Sequence, residues 1–498
     1  MAMKYKDVLL FLSFSVLPVC IALARLSCLT PWIDEVMFID TPMHYVKGMG
    51  WNTHAWYSIA GQPPFLLYPP LYSMTLVPWM LIFGTSILAC RSLNIVITLL
   101  IGWGLLSILK QLTPKLSLAQ IMLLTASLWC VGDMVYMYSN GRPDLMGAFI
   151  LVLIAYIMIQ AVRSGTRSWS ILVLSALLMV TAIQAAVCLL LSLLLSYLSL
   201  KSHRKAIIRL ASLSVSGLFV GFAANCVFMA YHGHLTAFVV NIFSYSASAK
   251  AITAAILSTI GHYTDIDTAY WMGKLSKMGT ESSLSVRLPS VFTHPSYTLL
   301  LMADSVALLI HLKKIRKEPC YPVIQYLFIL SVGIPLLMVL AGRFEPYYYW
   351  MVYLPLFLLT VLLFRPADFH WGCFTIGFSL LCILANYKIP ENKSNDYEKL
   401  ASFINHCTML NDKQIIAPFS VFYEISELSI NTYYSGIFPP QDLPKTIDYI
   451  ILPERSADYG NDRLYDYFET IRQSDSLTVV MVAQNPSPEL KVYKVETK

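Results

Sequence analysis

Long apolar runs recur along the chain as far as residue 388, and short polar stretches separate them. A helix needs about 17 to 25 mostly apolar residues to cross a membrane, and most of these runs reach that length. One run is too long for a single simple span, and another is broken by Gln184 and fits two short spans. The pattern therefore predicts an α-helical polytopic membrane protein with about eleven or more spans. The runs lie at residues 8–28, 71–109, 116–137, 145–162, 169–200, 206–230, 296–312, 321–341, 347–364 and 371–388.

Basic residues beside the apolar runs predict how the chain is oriented. Lys4 and Lys6 precede the first run, and Arg163 follows a later one. Because positive charge favours the cytoplasmic side, we expect a cytoplasmic N-terminus and external loops at residues 29–70 and 231–295. The C-terminal residues are then external. No retention-like signal follows the last residues, so the expected location is a bacterial plasma (inner) membrane.

Residues 389–498 have a different pattern from the rest of the chain. TIDYIILPE and LKVYKV are typical of strands, whereas YEKLASFINHC and NDRLYDYFETI are typical of amphipathic helices. This alternation predicts a small C-terminal α/β domain outside the membrane, following a membrane domain at residues 1–388. The tail contains no glycine-rich nucleotide-binding motif. We assign it no catalysis and expect it to cap the external site or dock a partner.

Composition agrees with a membrane protein and excludes nucleic acid as a partner. The 498 residues are 57% hydrophobic and only 13% charged, with a mean hydropathy of +0.61, whereas soluble proteins are about a quarter charged. The net charge of +6 comes partly from basic residues beside the apolar runs. The ten cysteines show neither CxxC nor Cys/His zinc spacing, so no disulfide framework or structural zinc site is predicted.

The segment PWIDEVMFID follows the first apolar run and places Asp34 and Glu35 side by side. The sequence beyond it, WNTHAWYSIAGQPPFLLYPPLY, is rich in aromatic residues and proline, which is typical of chain at a membrane interface. The two acids are either ordinary solvated loop residues or groups held at the membrane edge. In the second case they would act as a general base, a metal ligand or a cation site.

Two further motifs place arginine near acidic or tyrosine residues at predicted external ends of spans. SNGRPDL contains Arg142 and Asp144, which form either a structural ion pair or a site where Arg142 holds a phosphate beside an acid. GRFEPYYYWMVYLP contains Arg343 and Tyr347. These belong either to an interfacial aromatic anchor or to a phosphate site in a lipid-lined groove.

Histidine and aspartate residues of the second long loop are weak candidates for a metal site. YHGHL contains His232 and His234, and HYTDIDTAY contains Asp265 and Asp267. Uncoordinated loop histidines are the plainer interpretation, and the aspartates could bind a divalent ion. No cofactor is certain from the sequence, and a divalent metal ion stays possible.

The order and spacing of these motifs resemble the GT-C glycosyltransferases of the protein-O-mannosyltransferase type, a superfamily that includes the aminoarabinose transferase of lipid A. The acidic pair after the first span, the PPLY motif at 69–72, and Gly84 followed by Arg91 are similar to the opening of that family. SNGRPDLMGAFILVL and RFEPYYYWMVYLPLF resemble its later segments. The likeness covers most of the membrane part of the chain.

The resemblance implies an inverting transfer of a sugar from a polyprenyl-phosphate carrier to a glycan, lipid or protein acceptor on the external face. It implies that Asp34 is the base or an ion ligand, with Glu35 beside it and Asp144 as a second acid. The departing phosphate needs positive charge or hydrogen-bond donors. Arg142 and Arg343 are the residues that the likeness suggests for this task.

One position departs from the family pattern. In the aminoarabinose transferases a lysine that meets the carrier phosphate precedes the two prolines, whereas Tyr68 stands there in this chain. Tyrosine can donate a hydrogen bond but carries no charge, so phosphate recognition has to rely on arginine. Tyr68, Tyr72 and Tyr347 are therefore expected to be further substrate or phosphate contacts.

Two other functions remain open. A lipid or sugar transporter would be expected to carry ionisable residues within its spans and to contain inverted repeats. The spans have almost no internal charge, and no repeat is visible. A non-catalytic subunit for envelope-polysaccharide assembly would leave the acids solvated and replaceable. The family motifs favour the transferase.

Overall fold

The structure of the chain is a computed structural model. It describes residues 5–26, 29–55, 65–113, 116–164, 168–244, 295–317, 320–340, 348–364, 391–434, 446–453 and 461–497.

Helices account for most of the described residues up to 364. Their bounds are α1 Tyr5–Leu26, α2 Ile33–Val46, α3 Leu71–Phe83, α4 Ile87–Leu112, α5 Leu118–Cys130, α6 Gly132–Tyr138, α7 Asp144–Ser164, α8 Ser170–Met179, α9 Ile183–Ser199, α10 Arg204–Tyr231, α11 Leu235–Ser244, α12 Pro295–Ile315, α13 Tyr321–Leu340 and α14 Trp350–Leu363. The run at 169–200 forms two short helices, as predicted, but the break lies at residues 180–182, and Gln184 is inside the first turn of α9. The long run at 71–109 likewise divides into α3 and α4.

Five of the described helices are long and apolar enough to cross a membrane, namely α1, α4, α7, α10 and α13. The pair α5 and α6 forms a sixth candidate span, bent by 63° at its break. Shorter apolar helices of 10–17 residues are α3, α8, α9 and α14. The chain is an integral membrane protein, and the count of about eleven spans stays a prediction. The predicted run at 371–388 lies outside the described residues.

Residue contacts divide the chain into two compact units. The first, called the helical unit here, comprises Met1–Ile21, Asn94–Tyr138 and Pro143–Tyr387. The second, called the mixed unit, comprises Ala22–Leu93, Ser139–Arg142 and Lys388–Lys498. The division into domains at residues 1–388 and 389–498 stays a prediction. The mixed unit also contains two earlier stretches that local sequence patterns do not connect to the tail.

In the helical unit, α8 packs along α10, where two glycines one turn apart let the backbones approach. A Cβ atom on Gly217 would lie 2.2 Å from the Leu172 carbonyl oxygen, and one on Gly221 would lie 2.4 Å from that of Ala176. Small residues at this spacing are a common means of packing membrane helices closely. The pair of glycines therefore fixes how near α8 and α10 lie.

Two buried or half-buried acids of the helical unit are held by hydroxyl groups. The Thr360 hydroxyl donates to Asp304 Oδ2 at 2.8 Å, and the Tyr353 hydroxyl donates to Asp133 Oδ2 at 2.6 Å. Asp304 lies on α12, inside the predicted span 296–312, and is 1% exposed. The predicted span 296–312 therefore contains a deeply buried ionisable group.

The mixed unit contains a five-stranded sheet formed by the C-terminal residues. Its strands are β1 Ile415–Ile416, β2 Thr432–Tyr433, β3 Tyr449–Pro453, β4 Leu477–Pro486 and β5 Glu489–Thr497, and its helices are α15 Glu391–His406, α16 Phe422–Leu428 and α17 Asn461–Arg472. The strand order is β2-β1-β3-β5-β4. β1 is parallel to β2 and β3, while β5 is antiparallel to β3 and β4. The predicted α/β character of the tail is present: TIDYIILPE contains β3, and LKVYKV lies within β5.

The segment predicted as the first external loop begins with a helix, α2. Asp34 and Glu35 lie in its first turn, where carboxylates stabilise the exposed N–H groups and the positive end of the helix dipole. Val36, Ile39 and Met43 are fully buried and recur at helical spacing. The acids were expected on a loop, whereas this local pattern forms a 14-residue helix.

Candidate functional site

Asp34 and Arg142 form an ion pair within the mixed unit. The Arg142 guanidinium donates through Nη1 to Asp34 Oδ2. The Asp34 side chain is 28% exposed, whereas that of Arg142 is 7% exposed. The fold therefore brings together a carboxylate and a guanidinium that are 108 residues apart in the sequence. Of the two groups, the carboxylate is the one that solvent reaches.

Aromatic rings surround the guanidinium. Arg142 Cζ lies 5.3 Å from the Trp32 ring centre and 5.7 Å from that of Phe38, within the range of cation–π attraction. Phe38 in turn contacts Tyr68 edge to face, with 4.9 Å between ring centres. We call these five residues the Asp34 cluster: Trp32, Asp34, Phe38, Tyr68 and Arg142. It joins the predicted base to two of the predicted phosphate ligands.

The close approach of the SNGRPDL segment to α2 depends on a glycine. A Cβ atom on Gly141 would lie 2.2 Å from Ile39 Cδ1 and 3.4 Å from Glu35 Cγ. A side chain there would push the segment away from α2, and Arg142 is the next residue. Gly141 is therefore part of what places the guanidinium beside Asp34.

Glu35 has a different environment from its neighbour Asp34. Its side chain is fully buried, and Arg91 donates to both carboxylate oxygens, with Nε to Oε1 and Nη2 to Oε2 each at 2.6 Å. The Tyr423 hydroxyl also donates to Oε1, at 2.9 Å. Burial, and then the negative charge of Glu35, raise the pKa of Tyr423 well above its usual value. The phenol therefore keeps its proton and remains a donor.

Arg91 extends this network to the end of the first helix. Its Nη1 donates to the carbonyl oxygens of Leu26 and Leu29 at 2.7 and 2.8 Å. One guanidinium thus holds the end of α1, the turn before α2 and the first turn of α2. This bidentate geometry is specific to arginine, and it fixes the backbone from which Asp34 projects.

A second polar cluster lies further along α2, at Asp40. Its Oδ2 accepts hydrogen bonds from the Thr53 hydroxyl at 2.8 Å and from the backbone N–H groups of His54 and Ala55 at 2.6 and 3.0 Å. Its Oδ1 lies 3.2 Å from His44 Nδ1. Asp40 thereby holds residues 53–55, which follow α2, against that helix. The sequence motifs did not identify this role.

The two histidines near Asp40 differ in charge. Burial alone would raise the pKa of Asp40 and lower that of His44, but their mutual attraction holds the first below and the second above its usual value. Burial, and then the positive charge of His44, lower the pKa of His54 to about 4. His54 stacks on Tyr433 of β2 with 4.2 Å between ring centres. At neutral pH it is therefore an uncharged ring packed against the sheet.

The remaining predicted residues are not all in one place. Tyr72 is buried in α3 of the mixed unit, and Asp144 is buried in the first turn of α7 of the helical unit. His234 is buried and His232 is half-buried after α10. No group of three or more metal-binding side chains occurs among the residues that the structure describes. Four predicted residues lie outside the described ranges: Arg343, Tyr347, Asp265 and Asp267.

The fold is similar to those of ArnT and an archaeal oligosaccharyltransferase, in agreement with the resemblance that the sequence motifs suggested. ArnT from Cupriavidus metallidurans, solved with bound undecaprenyl phosphate, superposes with a TM-score of 0.63 at 10% sequence identity. The match covers 97% of this chain and 97% of that one. The resemblance in sequence motifs is thus accompanied by a similar fold over nearly the whole length of both chains.

A second group of similar structures is the oligosaccharyltransferase of Archaeoglobus fulgidus. Its apo form superposes with a TM-score of 0.52 at 10% identity, covering 89% of this chain and 69% of that one. The complex of the same enzyme, AglB, with an inhibitory peptide and a dolichol-phosphate gives a TM-score of 0.50 over the same shares. No protein-family model and no curated protein sequence matches the chain.

Proposed function

We propose that the protein is a GT-C glycosyltransferase that moves a sugar from a polyprenyl-phosphate donor to an acceptor hydroxyl or amide. The observation that carries the proposal is the Asp34 cluster, a partly exposed carboxylate paired with a buried arginine under aromatic rings. It is supported by the full-length fold likeness to ArnT bound to undecaprenyl phosphate. A dolichol-phosphate and a peptide bound to AglB support a lipid-linked donor and a separate acceptor.

In the proposed step, the acceptor attacks the anomeric carbon from the face opposite the phosphate. The bond from that carbon to the phosphate oxygen breaks, and the polyprenyl phosphate leaves with the bonding electrons. Asp34 takes the acceptor proton as general base. Inversion follows because attack and departure occur on opposite faces. Asp34 suits the task because it is reachable from solvent, whereas Glu35 is occupied by Arg91 and Tyr423.

Arg142 and Tyr68 are proposed to stabilise the departing phosphate. An arginine offers several N–H donors in a fixed plane, so Arg142 can contact a phosphate while it still holds Asp34. Tyr68 adds a neutral donor, and it contacts Phe38, the ring that Arg142 also approaches. Arg343, Tyr347, Tyr72 and Asp144 remain proposed contributors, and an ion positioned by Asp34 remains an alternative to direct base catalysis.

The external face of a bacterial inner membrane is the proposed location of the reaction. Support comes from the basic residues beside the apolar runs, which favour a cytoplasmic location for the N-terminus and Arg163. The acceptor is proposed to be an envelope glycan, lipid or protein. The residues after 388 share a compact unit with Asp34, which supports a role for them in shaping the site.

Release of free polyprenyl phosphate from a panel of polyprenyl-phosphate sugars tests the proposal. Membranes with the parent chain are compared with Asp34→Asn, and an envelope extract supplies acceptors. We expect a loss of at least about a hundredfold in turnover, typical of removing a general base. Asp475→Asn, which changes an exposed acid on the C-terminal part, is the matched control. Equal release by Asp34→Asn and Asp475→Asn would remove Asp34 from the mechanism.

The same assay separates the transferase from a transporter or an assembly subunit. A transporter moves donor across vesicle membranes without cleaving it, and Asp304, a buried ionisable group inside the predicted span 296–312, favours this alternative. Its carboxylate is satisfied by Thr360, as expected of a helix-packing contact. Donor translocation with no release under any acceptor condition would favour transport.

A further inference from the structure

The helical unit contains a cavity of about 580 Å³, partly open to its surroundings, among α4, α7, α9, α10, α13 and α14. This volume lies within the range of about 300–1,000 Å³ that ligand pockets occupy. Most of the lining is aliphatic, with Leu105, Leu189 and Leu330 as examples from three helices. None of the residues discussed for sugar transfer lines it.

The length of the cavity matches one leaflet of a membrane. On α7 its lining runs from Leu151 to Arg163, on α9 and the residue after it from Cys188 to Leu200, and on α13 from Pro322 to Ile334. At 1.5 Å per helical residue, each of these stretches spans about 18 Å. Half of the hydrocarbon core of a bilayer is about 15 Å. The cavity is therefore as long as one acyl chain of one leaflet.

The hydroxyl groups on the wall are already satisfied by the protein. The Ser196 and Tyr326 hydroxyls lie 2.5 Å apart, and the Ser192 hydroxyl donates to the Cys188 carbonyl oxygen at 2.8 Å. An occupant gains nothing by offering polar groups to this part of the wall. The middle of the cavity is thus suited to a hydrocarbon chain.

Two basic residues line one end of the cavity. Arg163, near the C-terminal end of α7, and His203, in the turn after α9, both belong to the lining. Leu200 and Pro322 line the same end, where α9 finishes and α13 begins. An anionic headgroup is favoured beside such residues, and the apolar tail then extends along the helices.

We propose that this cavity binds one acyl chain of an anionic phospholipid, with the phosphate at Arg163 and His203. The donor's polyprenyl phosphate is a poorer fit, because the proposed transfer residue Asp144 is at the opposite end of α7. The helix rise places it roughly 30 Å from Arg163 along the axis. The lipid site does not depend on the proposed sugar transfer and would exist in a transporter as well.

Native mass spectrometry of the full chain in detergent tests the site, with phosphatidylglycerol, phosphatidylcholine and undecaprenyl phosphate as probes. We expect one phosphatidylglycerol to be retained in preference to the other two. Arg163→Gln should weaken its retention about tenfold, the size of a lost charge-assisted hydrogen bond. Arg209→Gln, an exposed arginine on α10 that does not line the cavity, should leave it unchanged.

Filling the cavity gives a second, independent test. Ala155 lines it on α7, whereas Leu153 on the same helix does not. Ala155→Trp should abolish retention of the lipid, and Leu153→Trp should preserve it. The proposal is overturned if the parent retains no phospholipid, if undecaprenyl phosphate displaces phosphatidylglycerol, or if both tryptophan variants retain it equally.

Discussion

Asp34 and Glu35 are adjacent in the sequence, but the side chain of Glu35 is fully buried whereas that of Asp34 is partly exposed. Successive residues of a helix point about 100° apart, so Glu35 faces inward toward Arg91 while Asp34 remains reachable from solvent. A buried ion pair is costly to break, because removing one partner leaves the other charge without compensation. Glu35 therefore holds the helix, while Asp34 is the carboxylate that is proposed to react.

This difference predicts unequal effects on stability. Glu35→Gln should lower the free energy of unfolding by about 3–5 kcal/mol, because it leaves the Arg91 charge buried and unpaired. Asp34→Asn should cost about 1 kcal/mol or less, as expected for a partly exposed pair. Unfolding of the detergent-solubilised variants under increasing denaturant measures both. Equal losses for the two variants would contradict the structural role of Glu35.

His54 predicts a dependence of stability on pH. An unfolded histidine takes up its proton near pH 6.5, whereas buried His54 resists protonation until about pH 4. Between these values the unfolded chain binds more protons, so stability falls as the pH is lowered, by up to about 1.4 kcal/mol per unit. His44, whose pKa is raised, is charged in both states there. The lowered pKa of Asp40 matters only below this window.

Thermal midpoints measured from pH 7 to pH 4.5 test the contribution of His54. His54→Phe keeps a ring against Tyr433 and should flatten the acid-dependent loss of stability. His406→Phe, at an exposed histidine of α15, serves as the control and should retain the parent slope. A parent-like slope in His54→Phe would show that other groups cause the acid sensitivity.

At the scale of elements, α2 shows where local sequence was informative and where it was not. The acids in its first turn and the buried spacing of Val36, Ile39 and Met43 are helix signals that the many aromatic residues downstream obscured. Asp34 and Arg142 could be identified as candidate site residues from the sequence, because each lies in a short charged motif beside an apolar run. Tyr423 could not, since its motif SVFYEISEL predicts a helix but no partner 388 residues away.

The contact of α16 with α2 predicts a positioning role for Tyr423. Tyr423→Phe removes one hydrogen bond to Glu35, and, given the proposed function, turnover should fall about tenfold while the KM for donor stays unchanged. Such a split indicates misplacement of the reacting groups and not loss of binding. The measurement is polyprenyl phosphate release at varied donor concentration.

Tyr397→Phe is the matched control for this prediction. Tyr397 lies in the same C-terminal region but donates to Glu424 and not to Glu35, at 2.6 Å. It should leave both turnover and KM close to the parent values. If the two variants lose turnover equally, Tyr423 acts through general packing of the tail and not through Glu35.

At the scale of the whole molecule, the periodicity of apolar residues predicted the membrane helices and the mixed character of the tail. It did not predict that residues 22–93, 139–142 and 388–498 form one compact unit. That grouping depends on contacts such as Lys47 with Ser426 and Glu427, and Thr85 with Glu427. Pairings of this kind leave no local periodicity to detect.

The grouping predicts that the tail is required for activity. A chain ending at residue 390 should still be recovered in the membrane fraction but should release no polyprenyl phosphate. It should also unfold at a lower temperature than full-length Asp34→Asn, which is inactive for a local reason. Parent-like release by the shortened chain would show that the tail is dispensable for the site.

The 388-residue separation of Tyr423 from Glu35 also sets an order of assembly during synthesis. Arg91 follows Glu35 by 56 residues, so the ion pair can form within about 3–11 s of translation at roughly 5–20 residues per second. Tyr423 emerges about 20–80 s after Glu35 at the same rate. The network around the proposed base is completed only near the end of translation. A ribosome that stops early therefore releases a membrane-inserted chain in which Tyr423 has never reached Glu35.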